Sequence, residues 1–184
     1  MLFDSDERLI SKALNGHEAA WVKLVKRYEK RIYNHCLRMT GATDEAMDIV
    51  QEVFISVFRN LPNYRGDGVF PAWLFRIATN RCTDFLRRRQ NNPLHNSQDD
   101  TTETLLASQV AEEDLHRSQS NRTVLKLLSC LSVEQRQVVE LKMFQNMTFD
   151  DIEQYTGLSS NTAKTRFYTA LKKLKDHTEI SHAV

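Results

Sequence analysis

The chain has 184 residues, 41% of them hydrophobic and 27% charged, with a formal net charge of +1. Five glycines and three prolines are too few to punctuate a sheet of many short strands, and no apolar run approaches the roughly 20 residues that a membrane span needs. The opening MLFDSDERLI lacks the basic region and apolar block of a secretory signal, so a cytoplasmic protein without membrane insertion is expected.

In chain order, apolar residues at spacings of three and four predict helices throughout. Asp6 to Asn15 is a short one. From Glu18 to Met39, Trp21, Leu24, Val25, Tyr28, Ile32 and Cys36 share a face, and Gly41 supplies a stop. The next helix runs from Asp44 to Asn60, with Val50, Val53, Phe54, Val57 and Leu61 as its inner stripe. PNYRGDG is dense in turn residues and too polar to bury. Pro71 then suits the first turn of a helix from Phe70 to Arg89. The connector QNNPLHNSQDDTTETLLASQVAEEDLHRSQSN is polar and acidic, with too little apolar surface to offset the entropy of ordering. A short helix around Leu105, Leu106 and Val110 is its one candidate element.

From Arg122 the helical pattern returns. One helix contains Val124, Leu127 and Leu128, and SVEQRQVVELKMF follows with Ser132 and Gln135 spaced as a capping box. TFDDIEQYT is a short helix that Thr148 can cap, and Gly157 breaks the chain. Residues 159 to 175 resume it, with Ala163, Phe167, Ala170, Leu171 and Leu174 on one face. The expected fold is all-α: two small helical domains, 1–90 and 122–184, joined by a flexible acidic linker at 91–121.

The net charge conceals a segregated distribution. Residues 1–90 carry 15 Lys/Arg against 11 Asp/Glu, residues 91–121 carry 1 against 6, and residues 122–184 carry 9 against 7. Two basic blocks around an acidic connector make the whole-chain charge a poor guide to partners.

Short helix, glycine turn and longer helix between Thr148 and Leu174 form a helix-turn-helix pattern, whose second helix meets DNA with its N-terminal end. Small polar residues there, Ser159, Ser160, Asn161 and Thr162, let the backbone approach phosphates, while Lys164, Thr165, Arg166 and Tyr168 can reach bases or phosphates. In the first block, Trp73, Arg76, Asn80, Thr83 and Arg87 recur along a second face of the helix from Phe70, and Arg87 to Arg89 extend it as a phosphate clamp. The adjoining Asn63, Tyr64, Arg65 and Asp67 form a polar set able to receive an unstacked base. Each of these faces also has a plainer explanation as a capped or solvated helix surface. Asp44, Asp48, Gln51 and Glu52 make the outer face of the preceding helix acidic, suited to a basic protein partner rather than DNA.

No phosphate-cradling glycine loop, nucleophile motif or metal spacing is present, so neither enzyme chemistry nor a cofactor or metal is expected. Cys36, Cys82 and Cys130 read as reduced structural thiols, with His35 a surface residue beside core Cys36. Residue patterns alone leave open a duplex-binding repressor or activator, and an adaptor whose helices only dock partners.

DEAMDIVQEVFISVFRNLPNYRGDGVFPAWLFRIATNRCTDFLRRR resembles region two of bacterial extracytoplasmic-function (ECF) sigma factors, group IV of the sigma-70 family. LSVEQRQVVELKMFQNMTFDDIEQYTGLSSNTAKTRFYTALKKLK resembles their region four. The likeness spans nearly the whole chain apart from the connector and the last few residues. It implies an alternative sigma factor that binds core RNA polymerase, directs it to promoters and helps melt the minus-ten element. Asp48, Gln51, Glu52 and Phe54 would press against the β′ clamp helices, with the β flap a further contact. Asn63, Tyr64, Arg65, Gly66 and Asp67 would belong to a loop capturing a flipped minus-ten base. Trp73, Arg76, Asn80, Thr83, Arg87 and Arg88 would lie along the opening duplex, and the segment from Ser159 to Tyr168 would read the minus-thirty-five element. The linker would thread toward the polymerase active site. An anti-sigma factor would hold the protein inactive, so a monomer, or a 1:1 complex with that inhibitor, is expected off the polymerase.

Overall fold

The computed structural model describes residues 4–66, 68–91 and 122–182, the last four by backbone alone. Every regular element among them is helical. The first module consists of α1 (Asp6–Leu14), α2 (Glu18–Thr40), α3 (Thr43–Asn60), a single 3-10 turn (Leu61–Asn63) and α4 (Phe70–Gln90). The second consists of α5 (122–129), α6 (Val133–Val139) continuing into a π-helical turn (Glu140–Phe144), α7 (Phe149–Thr156) and α8 (Ser160–His182). The connector from residue 92 to residue 121, with its candidate helix around Leu105, lies outside the described residues.

Local chemistry sets the helix ends. Gly41 ends α2 at φ 81° and Gly157 ends α7 at φ 74°, a left-handed conformation that costs glycine nothing. Ser132 and Gln135 form a reciprocal capping box on α6, and Thr148 and Asp151 form another on α7. Ser5 caps α1 by accepting from the Arg8 amide.

In the first module Leu24, Ile32, Met39, Val53, Val57, Leu74 and Phe75 are all buried. The inner face of α3 runs through Ala46, Ile49, Val53 and Val57, so Val50 and Phe54 fall at its rim. Asp6 ties α1 to α2 by accepting from both Arg27 and Tyr28. The second module packs Val138, Leu141 and Ile152 against Ala163, Phe167 and Ala170, with Phe149 edge-on to Phe167 at 5.6 Å. Leu171, expected on the buried face of α8, is 37% exposed, whereas Leu174 is half-buried.

The two modules touch. Glu140 on the π turn reaches α2, where Arg38 Nε donates to Oε2 at 2.6 Å and Arg38 Nη2 to Oε1 at 2.8 Å. His35 Nδ1 lies 3.2 Å from Oε1, and His35 Nε2 lies 3.2 Å from the Thr79 hydroxyl on α4. His35 and Glu140 are both fully buried. This corrects the expectation of a surface His35: Phe75 and Thr79 of α4 on one side and Glu140 of the second module on the other enclose it. Arg136 of α6 adds a donor to the Met39 carbonyl at the end of α2, at 2.6 Å.

Candidate nucleic-acid interface

The loop after α3 is held from within. The Tyr64 hydroxyl donates to the Gly68 carbonyl at 2.6 Å, and Gly66 takes φ 75° between them. Beneath the loop, the rings of Tyr64, Phe70 and Trp73 form a cluster with centroids 5.2–5.7 Å apart. Asn63 and Arg65 are exposed; Asp67 lies outside the described residues. An aromatic floor under a polar rim suits a planar base, which gains stacking below and hydrogen bonds at its edge.

Along α4 the structure brings the predicted row onto one edge, with a single exception. Trp73 is half-buried, and Arg76, Asn80, Arg87 and Arg88 are exposed. Thr83 is only 7% exposed, and its hydroxyl is buried without a hydrogen-bond partner in this arrangement, so the side chain is not available to a ligand here. Arg89, third of the arginine run, instead pairs with Glu45 of α3 at 2.7 Å.

The start of α8 is polar and exposed, as expected. Ser159 caps it, its Oγ accepting from the Thr162 amide at 3.3 Å. Asn161, Lys164, Thr165 and Tyr168 are exposed, Tyr168 to 62%, and Arg166 is half-buried. Lys164 Nζ sits 5.9 Å from the Phe149 ring. The free helix end is less open to phosphate than its composition suggests. Glu153 of α7 accepts from the Ser160 amide at 3.1 Å, and Asp150 from the Ser160 hydroxyl at 3.1 Å.

On the opposite chemistry, Asp48, Gln51 and Glu52 are exposed on α3 beside half-buried Phe54. An apolar patch that the acidic row does not announce lies beside them, with Phe58 as its new member. Trp21 of α2 meets Phe54 edge-on at 6.5 Å and Phe58 at 5.2 Å, and Phe58 is 60% exposed. The signal was available, because Phe58 falls one residue beyond Val57 and so off the inner stripe. Acidic side chains flanking exposed aromatic rings make a surface for a protein rather than for DNA.

Comparison with known proteins fits both modules. The Sigma-70 region 2 family matches residues 24–92, and the Sigma-70, region 4 family matches residues 121–174. The chain belongs to the ECF sigma factors of the sigma-70 family. Among relatives, it is 30% identical to the ECF RNA polymerase sigma factor SigE of Mycolicibacterium smegmatis over 88% of this chain, and spans 64% of that protein's length. It is 28% identical to the RNA polymerase sigma-H factor of Pseudomonas aeruginosa, covering 91% of this chain and 90% of that one. The fold resembles CnrH, solved in complex with the cytosolic domain of CnrY, with a TM-score of 0.70 at 22% identity over 96% of this chain and 99% of CnrH. It also resembles RpoE from Bartonella quintana, solved with the anti-sigma factor NepR, with a TM-score of 0.65 at 20% identity over 86% and 96%. ECF sigma factors are promoter-directing partners of RNA polymerase and not enzymes. Among the described residues, no helix is long and apolar enough to cross a membrane.

Proposed function

We propose that this ECF sigma factor divides its work between residues 1–90, which bind polymerase and melt the minus-ten element, and residues 122–184, which read the minus-thirty-five element, with 91–121 as the connector. The observation that carries the reading is the outer edge of α4, with Arg76, Asn80 and Arg87 exposed and Trp73 half-buried, continuous with an aromatic-floored loop. Stacking of an extruded base on Tyr64 and Trp73 offsets the few kcal/mol that unstacking costs. Arg76, Arg87 and Arg88 draw in the phosphates, and Asn80 offers donor and acceptor to a base edge. Thr83 drops out of the set in the present arrangement.

At the other end Ser159 to Thr162, Lys164, Thr165, Arg166 and Tyr168 meet the upstream duplex. Asp48, Gln51 and Glu52, with Phe54, Phe58 and Trp21 beside them, meet the β′ clamp helices; the β flap takes the second module. An anti-sigma factor completes the set of partners, in keeping with the complex in which the Bartonella RpoE was solved.

The test is in vitro transcription. Purified protein is added to bacterial core polymerase on pooled promoter fragments, and the 5′ ends of the RNA are sequenced. Discrete starts that need the protein and share two spaced upstream elements are expected. No protein-dependent starts, with a core from the same organism, would reject the reading in favour of a regulator that works with another sigma factor.

A further inference from the structure

Between Asn80 and Arg87, helical spacing offers two residues for the outer edge of α4, Thr83 and Asp84. Thr83 is only 7% exposed, so the structure gives the place to Asp84, exposed one turn beyond Asn80 and one turn before Arg87 and Arg88. Among the described residues its carboxylate enters no ion pair. Arg88, four residues on, has the favourable spacing for one, yet its Nε donates to the Asp84 backbone carbonyl at 3.3 Å. Arg81 is turned to Ser56 Oγ at 3.3 Å, and Arg89 to Glu45. A row of arginines thus carries one carboxylate that none of them neutralises.

On a face turned to phosphates a carboxylate costs affinity, because it repels the backbone that Arg76, Arg87 and Arg88 attract. What it supplies is selectivity. An ionised carboxylate accepts hydrogen bonds and donates none. In the major groove guanine presents two acceptors, thymine an acceptor beside a methyl group, and adenine a donor next to an acceptor; cytosine presents its N4 amine as a donor alone. Asp84 therefore matches cytosine and is repelled by the acceptors of the other three. Its place on the helix suits that task. Four residues advance about 6 Å, close to two base steps of about 3.4 Å, so Asn80 and Asp84 meet base edges about two steps apart. Trp73 and the aromatic-floored loop, which receive the unstacked base, lie about three turns back along α4.

We propose that Asp84 is a specificity-determining residue, its carboxylate accepting a hydrogen bond from N4 of a cytosine in the last base pairs upstream of the melted segment. This rests on the assignment of the α4 edge to minus-ten DNA. The arginines hold that edge to the backbone whatever the sequence. Asp84 weakens this general attraction and makes tight binding conditional on one base, so it acts against every site that lacks the cytosine as well as in favour of the site that has it.

The experiment uses holoenzyme reconstituted from core polymerase and the full chain. It is selected on a promoter it serves, randomised across the minus-ten element and the base pairs just upstream, and the bound fragments are sequenced. With the parent protein, one position is expected to favour cytosine about tenfold over the other bases, the discrimination of a single good base contact. Asp84→Ala should cut that preference below twofold at that position alone, while binding to fragments without the cytosine rises. Asp84→Asn keeps the shape without the charge and should move the preference toward adenine, whose N6 and N7 an amide pairs together. An unaltered profile in Asp84→Ala would overturn the proposal. So would a loss spread over all positions together with weaker binding to core polymerase, the mark of a merely structural side chain. Asn80→Ala, run alongside, shows how much falls. If it alters one position while Asp84→Ala alters none, Asp84 alone is withdrawn; if neither alters any, the assignment of the α4 edge to DNA falls with it.

Discussion

Arg38 on α2 holds Glu140, more than a hundred residues away in sequence, with two parallel hydrogen bonds of 2.6 and 2.8 Å. The π turn makes this possible. Its wider backbone closes with the Gln145 amide donating to the Glu140 carbonyl at 3.2 Å, five residues back, and Gln145 Nε2 adds a further bond to Oε1 at 3.1 Å. The carboxylate is thus met by donors from two helical segments, an arrangement that compensates a buried charge.

Acid should weaken the contact between the two modules through this group. Burial by itself pushes the Glu140 carboxyl up, but the bonds from Arg38 and His35 outweigh it and hold it below the usual carboxylate range. A lowered native value means that Glu140 contributes fully above the unfolded carboxyl's range, about pH 4–5, and that the contribution is lost as pH falls through the native value. The groups facing it are Arg38 and His35 from α2, Thr79 behind His35 and the Cys82 thiol from α4, and Gln145 from its own segment. Acrylamide quenching of Trp73, the one tryptophan left in a Trp21→Phe protein and a neighbour of Tyr155 across the cleft between the modules, is expected to rise on the acid side when followed from pH 7 to pH 3. Glu140→Gln should flatten that rise, and an identical acid limb in the variant would assign it to other carboxyls.

Trp73→Ala should impair promoter opening more than polymerase binding. The ring lies tilted against Tyr64, centroids 5.2 Å apart, and belongs to the proposed base pocket rather than to the acidic face of α3. Loss of one stacking platform costs about 1–3 kcal/mol per base. Permanganate footprinting of melted thymines against a polymerase pull-down checks it. Equal loss in both assays would remove Trp73 from the melting machinery.

Arg166→Ala should weaken upstream recognition by about 1–3 kcal/mol if the guanidinium reads a base, and relax specificity at one position. Lys172→Ala, farther along α8 and exposed, should instead lower affinity evenly across sequences and reduce the salt dependence. Binding of the reconstituted holoenzyme to promoter variants at two salt concentrations separates the two. A Lys172-like pattern for Arg166 would make it a phosphate contact.

Phe58→Asp should reduce affinity for core polymerase at least tenfold. The ring is 60% exposed yet packed edge-on against Trp21, the disposition of an aromatic anchor. Titration of core polymerase by fluorescence anisotropy measures it, with circular dichroism confirming the fold. Unaltered affinity would place the polymerase on the acidic residues alone.

Thr148→Ala should cost about 1 kcal/mol of stability by opening the capping box on α7. Its hydroxyl accepts from the Asp151 amide at 3.1 Å and donates to the Asp151 carboxylate at 2.7 Å. A lower thermal midpoint with unchanged polymerase binding is the expected result.

Helix limits and caps were legible because they are local. Ser132 with Gln135, Thr148 with Asp151, and Gly41 and Gly157 each act within a few residues of themselves, and backbone amides respond to whatever lies nearby. The inner stripes of α2 and α8 followed from helical spacing for the same reason. Spacing left a residue or two of play at the margins, where Trp21 and Val25 on α2, Val50 and Phe54 on α3 and Leu171 on α8 are rim positions; how wide a stripe is buried depends on the neighbour packed against it. The exposed row on α4 was readable except at Thr83, which the spacing placed on the outer face and the assembled structure buries.

Local chemistry along the chain is enough to specify an all-α protein of two modules, the helix-turn-helix of the second, the polar loop and basic edge of the first, and through its motifs the family. What Glu140, His35 and Arg38 do follows only from the packing of distant segments on one another. Each looks like an ordinary helix residue in its own stretch of chain, and nothing within four residues of Glu140 announces that it will be buried. That outcome depends on an encounter between segments about a hundred residues apart, where the free energy of a charge is set by its solvation and its partners rather than by its neighbours in sequence.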